Sequence, residues 1–217
     1  FSIEAIEPSI QESLTRLQTS YLDSVILHNP GWEILLGQSS HAKAFEDIKK
    51  KGLIRAWGVS IDSKEELRAV LDYLPVDVIE IMFNIFFQAP KDYFDEVKLR
   101  GIALIIKIPL DSGWLSGKYN QISSFTGVRA RWNKEMIATR SHLVDRVKQI
   151  TNTNELAKAA LAFVLSYDAV TTIIPGTRTI EQLKSNIESE FYHLSQKTIH
   201  ELEQFYLNEV VKEHLSW

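Results

Sequence analysis

Three places in the chain hold residue types that could do chemistry. The first is His28, which ends the run Tyr21-Leu22-Asp23-Ser24-Val25-Ile26-Leu27 and is followed at once by Asn29-Pro30-Gly31-Trp32. A run rich in Val, Ile and Leu that stops in Asn-Pro-Gly reads as a buried strand emptying into a loop. In repeating β/α folds chemistry sits in the loops at the carboxyl ends of strands, so an imidazole there could polarise a substrate or move a proton. Taken alone, a histidine at a strand end is more often a satisfied structural residue. The second place is Ile174-Pro175-Gly176-Thr177-Arg178, a strand end opening into a helix near Thr179. The free N–H groups and positive dipole end of such a helix suit a phosphate. Gly176 allows close backbone approach, and Arg178 can offer a fork or stack on an aromatic ring. A capped helix with surface polar residues is the competing reading. The third place is the polar stretch from Asp111 to about Arg140, with Gly113, Gly117 and Gly127. It is too long for an ordinary connection, and loops of that length are functional or mobile.

The elements that must position these residues alternate. Ile6, Ile10, Leu14 and Leu17 recur at three and four, which predicts an amphipathic helix over about 3–17. The strand ending at His28 follows it. A second helix is expected over about 40–51, stopped by Gly52, and then a strand over 54–61. Asp62-Ser63 should cap a helix reaching about Leu74, with Glu65 and Glu66 in its first turn. A strand over 76–84, a short helix over about 91–100 and a nearly continuous apolar strand over 101–110 come next; the last is the pattern of a parallel strand buried on both faces. Helical patterns return at about 141–150 and 154–166, a fifth strand at 170–174, and helices near 179–188 and 195–211. Such alternation permits a closed β/α barrel or an open doubly wound sheet. No Gly-x-Gly-x-x-Gly fingerprint and no Gly-x-x-x-x-Gly-Lys-Ser/Thr loop is present, which favours the barrel.

Composition excludes several classes. At 217 residues and 45% hydrophobic, the chain can bury one sizeable core, and its apolar runs fall short of the roughly 18–20 residues of a membrane helix. A net charge of −4 with interspersed signs leaves no basic field for nucleic acid. Lys49-Lys50-Lys51 reads as the solvated end of a helix. The absence of cysteine removes disulfides, thiolate metal sites and cysteine nucleophiles, and it fits a cytoplasmic location. The amino end has neither a basic region nor a long apolar core, so it does not read as a signal peptide. His41, His142, His193, His200 and His214 fall on helical or tail segments and are expected to be solvated, with no paired spacing for a metal.

Three segments together resemble the aldo-keto reductases, barrel enzymes that use NADPH to reduce carbonyl groups. They are Leu17-x-Thr19-x-Tyr21-Leu22-Asp23 leading to Leu27-His28-Asn29-Pro30; Gly52-Leu53-Ile54-Arg55-Ala56-Trp57-Gly58-Val59-Ser60; and Pro109-Leu110-Asp111-Ser112-Gly113-Trp114-Leu115-Ser116-Gly117-Lys118-Tyr119 paired with Ile174 to Arg178 and Glu181-Gln182-Leu183 to Asn186. The resemblance implies NADP(H) as cofactor and a small-molecule carbonyl or alcohol as substrate. It assigns Gly176, Thr177 and Arg178 to the adenosine 2′-phosphate, with Gln182 and Asn186 facing the adenine. Pro109, Leu110 and Ser112 would line the pyrophosphate, Lys118 would supply charge there, and Arg129 would be a second cation closing over the cofactor. Ser60 matches the family's carboxamide-binding serine. The sequence departs from the family at Ile61, commonly Asn; at Glu80, usually Gln; and at Lys107, commonly an aromatic beneath the nicotinamide. A carboxylate can accept from an amide N–H₂ but cannot donate to its oxygen.

The family's chemistry, as the resemblance implies it, uses a Tyr general acid, a Lys and an Asp that tune it, and a His that orients the carbonyl. His28 matches the last. The other three belong to the first three strand ends of the barrel, and Tyr21, Tyr73, Tyr93, Tyr119 and Tyr167 match none of them by motif. Five strands are legible where a (β/α)8 TIM barrel has eight, and such barrels typically run to roughly 250 residues. The expectation is one aldo-keto reductase domain over 1–217, a partial barrel lacking the first three β/α units and inactive alone. Its open sheet edges would invite a homo-oligomer. An NADP-binding regulatory or redox-sensing protein with little turnover is the alternative.

Overall fold

The computed structural model describes residues 2–216, the side chain of Val128 excepted. In chain order its elements are α1 (Ile3–Leu17), β1 (Leu22–His28), α2 (Trp32–Leu35), α3 (His41–Lys50), β2 (Ile54–Ile61), α4 (Lys64–Tyr73), β3 (Val78–Met82), α5 (Phe94–Leu99), β4 (Ala103–Lys107), α6 (Lys134–Thr151), α7 (Leu156–Leu165), β5 (Val170–Ile173), α8 (Ile180–Glu188) and α9 (Gln196–Asn208). Short 3₁₀ turns occupy Ala89–Tyr93, Asp111–Ser116, Gly127–Arg131, Ser189–Phe191 and Val210–Glu213. The strands form one sheet in the order β1-β2-β3-β4-β5, an α/β fold in which strand and helix alternate. By its internal contacts the chain divides into two units, Phe1–Met82 with Ala89–Ile105, and Phe83–Gln88 with Ile106–Trp217.

In the first unit β2 is buried from Trp57 to Ile61 without a break. It pairs in parallel with β1 on one side and β3 on the other. Gly58 is required there: a Cβ would stand 1.9 Å from the Val78 carbonyl oxygen of β3. Trp57 stacks on Phe45 of α3 at 5.0 Å, and its indole N–H donates to Glu46 at 2.9 Å. Asp77 accepts from the Trp57 backbone N–H at 3.0 Å and from Lys49 at 2.9 and 2.7 Å. Lys49 is therefore a tie between α3 and the start of β3, not part of a solvated helix end. α4 opens with a full capping box, Ser63 accepting from the Glu66 N–H while Glu66 accepts from the Ser63 N–H. The expected buried strand β1 is mostly half-buried or exposed, with Leu27 its one buried residue. It lies at the sheet edge, so apolar residues alone did not distinguish it from a central strand.

In the second unit α7 is buried nearly all round, from Ala159 to Val164. Phe163 stacks on Phe83 at 6.0 Å, with Tyr167 edge-on to both. α6 begins at Lys134, where Asn133 caps it by accepting from the Met136 N–H at 2.8 Å. The expected start near 141 missed its first two turns because Lys134, Glu135 and Arg140 dilute the apolar pattern; Ile137 and Arg140, three apart, are the buried face. The long polar stretch before it is organised around rings. Trp114, Tyr119, Phe125 and Trp132 form one cluster, with neighbouring centroids 4.8–5.7 Å apart. No helix among the described residues is long and apolar enough to cross a membrane.

Candidate functional site

The first unit brings three of the sequence-selected residues into one row. In the parallel ladders His28 is the register partner of Ser60, and Ser60 that of Glu80. Side chains alternate along a strand, so register partners share a face and the next residue points the other way. Ser60 is buried, and its hydroxyl donates to Glu80 Oε1 at 2.7 Å. His28 is exposed and Glu80 half-buried. Ile61 is fully buried on the opposite face. The turn after His28 is fixed by Asn29, whose left-handed φ of 48° suits asparagine. Its backbone N–H donates to the Ser60 carbonyl at 2.8 Å and its side-chain amide to Asp62 at 3.1 Å.

The second unit holds a pocket of about 650 Å³. Pro109, Leu110, Ser112, Lys118, Arg129, Gly176, Thr177, Arg178, Gln182 and Asn186 all line it. Lys107 does not; it is buried in β4 just before this wall. Sequence reasoning missed Ile108, Gly113, Ser116, Ala157, Ile174 and Ser185. Ser185 was findable, because with Gln182 and Asn186 it occupies one helical face; Ala157 gave no signal of its own. Thr179 caps α8 by accepting from the Gln182 N–H. Gln182 in turn accepts from the Arg178 N–H at 2.8 Å, and Asn186 donates to Thr177 Oγ1 at 2.9 Å. The 176–179 loop is thus folded back on the first two turns of α8.

The facing wall is strained. Ile108, Asp111 and Ser112 have φ of 54°, 44° and 54°, and Gly113 follows at 102°. Left-handed backbone costs an L-residue roughly 1–2 kcal/mol. Local hydrogen bonds offset part of this: Asp111 N–H to Ile108 O at 3.1 Å, Gly113 N–H to Leu110 O at 2.8 Å and Ser116 Oγ to Gly113 O at 2.6 Å. Asp111 is fully buried and accepts from Arg140 Nε at 3.2 Å. Lys118 and Arg129 lie 4.7 and 5.9 Å from the Tyr119 ring centroid, so the aromatic cluster anchors two of the pocket's three cations.

Other titratable groups are accounted for. Tyr167 donates to Glu203 at 2.8 Å, and burial, followed by that carboxylate, pushes its phenol above the usual range, opposite to the direction a general acid needs. His41, expected in solvent, is buried and bonded to Ser39 through Nδ1 at 2.9 Å. Among the described residues no group of three or more His, Asp and Glu is placed to hold a metal ion.

The sequence model of the Aldo/keto reductase family matches residues 1–207. The chain is 23% identical over 212 residues to the uncharacterized oxidoreductase YqkF of Bacillus subtilis, covering 97% of this chain and 69% of the relative. It is 24% identical over 213 residues to the NADP(+)-named aldo-keto reductase yakc of Schizosaccharomyces pombe, covering 92% and 61%. An NADH-specific methylglyoxal reductase of Escherichia coli is 22% identical over 204 residues, covering 89% and 62%. Among solved structures, aldo-keto reductase AKR11C1 from Bacillus halodurans in its apo form superposes with a TM-score of 0.77 at 22% identity, covering 94% of this chain and 69% of that one. The chain spans about two thirds of the length of the proteins it matches. The fold is that of the aldo-keto reductase barrel, represented by five parallel strands, and with the family match running along nearly all of it, the chain belongs to the aldo/keto reductase family.

Proposed function

We propose that this chain supplies the NADP(H) site and the carbonyl-orienting histidine of an oxidoreductase that reduces aldehydes or ketones by hydride transfer. The observation that carries the reading is the meeting of Lys118, Arg129 and Arg178 with the capped start of α8 in one pocket. Three cations and a helix N-terminus suit a ligand with several phosphates. The relatives' names include both NADP(+) and NADH, and it is Arg178 on its fixed loop that favours a nucleotide with a 2′-phosphate. Pro109, Leu110 and Ser112 would hold the pyrophosphate, and Gln182 and Asn186 would face the adenine. Ser60 and Glu80 would meet the carboxamide, with Lys107 nearby in sequence to the pyrophosphate wall. When bound, NADPH supplies the hydride. His28 would donate a hydrogen bond to the carbonyl oxygen and orient it. The family's tyrosine proton donor is not matched by motif here, so little turnover by these 217 residues alone is expected.

Titration with NADPH and NADH tests the reading. Arg178→Ala should weaken NADPH about tenfold or more while changing NADH by less than about threefold, since one charge-assisted contact is removed. Equal loss for both nucleotides would sink the 2′-phosphate assignment. A second reading, an NADP-binding regulatory or redox-sensing protein, is favoured by the Ser60–Glu80 hydrogen bond, which turns the serine's only donor toward a carboxylate. Tight NADPH binding with no NADPH oxidation on a panel of aldehydes would select it.

A further inference from the structure

The pocket wall formed by Ile108, Leu110 and Ser112 includes backbone that L-residues avoid, at Ile108, at Ser112 and at the intervening Asp111. Such backbone persists only where its surroundings over-determine it. Asp111 sits inside this run, does not line the pocket, and is fully buried against Arg140 of α6. The same guanidinium donates from Nη2 to the backbone carbonyl of Ser216 at 2.7 Å and lies 5.5 Å from the Trp132 ring centroid. A guanidinium is planar with donors on fixed edges, so it holds two acceptors at a fixed mutual angle where a lysine would not. Arg140 thus joins three pieces distant in sequence: the strained wall, the aromatic cluster and the carboxy-terminal residues.

Resting on the dinucleotide reading of this pocket, we infer that Arg140 is a positioning residue for the pyrophosphate wall and that the stretch around Ser216 is part of the same device. The Ser216 carbonyl fixes the guanidinium, the guanidinium fixes Asp111, and Asp111 holds Leu110 and Ser112 in place. The backbone at Ser216 therefore sets affinity for the dinucleotide without touching it.

The test compares two ligands. Adenosine 2′-monophosphate carries the 2′-phosphate end of NADPH and neither phosphate of the diphosphate bridge, so it reaches the Arg178 loop and not the strained wall. Dissociation constants for both are measured by calorimetry on the full chain, on a variant lacking residues 214–217, and on Arg140→Lys, which keeps the charge but loses the planar fork. NADPH affinity is expected to fall about tenfold in each variant, the size of one lost charge-assisted hydrogen bond, with 2′-monophosphate affinity unchanged within about twofold. Unchanged NADPH affinity overturns the inference, and so does an equal loss for both ligands, which is what loosening of the whole unit would give. Should one variant fail to fold, the other decides by the same criterion. If the unaltered chain binds neither ligand, the dinucleotide reading fails and takes this inference with it.

Discussion

His28, Ser60 and Glu80 owe their common row to strand register, and the chemistry of the row turns on Glu80. With Ser60 donating to it, the pair offers acceptors where a primary amide also needs a donor. Glu80→Gln restores the donor and keeps the serine's partner. NADPH binding is expected to tighten about threefold to tenfold, the net worth of one hydrogen bond, while adenosine 2′,5′-bisphosphate binding stays constant; a weaker NADPH complex in a titration would refute this. Pro109, Leu110, Gly176, Thr177 and Arg178 of the pocket in the second unit were legible because they belong to local motifs, strand ends that open into a turn or a helix start. Lys49 and His41 were misread for the opposite reason. Asp77, the partner of Lys49, lies 28 residues away, and the core that buries His41 is likewise not written in any pattern that a helix end displays.

At the scale of elements, β2 and α4 were readable to within a residue, since an apolar run and a capping serine are written in consecutive positions. Ser63→Ala should cost about 1 kcal/mol in urea unfolding, the usual loss for such a cap. Gly58→Ala should cost about 3 kcal/mol or more by the same measurement, because the intruding atom meets backbone, which cannot rotate away; a loss below 1 kcal/mol would contradict the close approach of β2 and β3. The 111–133 stretch was not readable. Its order comes from four rings with no periodic spacing, and aromatic contacts across such distances leave no signature in a window of sequence.

For the whole molecule, carboxylates paired with arginines contribute to the response to acid. Glu209 is held below its ordinary value of 4.5 by hydrogen bonds from Arg146, and Glu96 by hydrogen bonds from Arg68. A depressed folded value means the contribution is present above the unfolded value and lost as pH falls through the folded one. The melting temperature should therefore hold from neutral pH down to about 5 and decline below it, and Glu209→Gln should flatten part of that decline. Both groups are substantially exposed, so raised salt should shrink the effect. The alternating fold and family were legible across the chain because five strand–helix units repeat one pattern. The ring cluster also gives the protein an optical handle. Trp114 and Trp132 lie 5.7 Å apart with their planes at 63°, a skewed pair of indoles whose excited states must mix. Near-ultraviolet circular dichroism should then carry a paired positive and negative band that Trp132→Phe abolishes, so the order of the ring cluster can be followed in polarised light over the background of the remaining tryptophans and tyrosines.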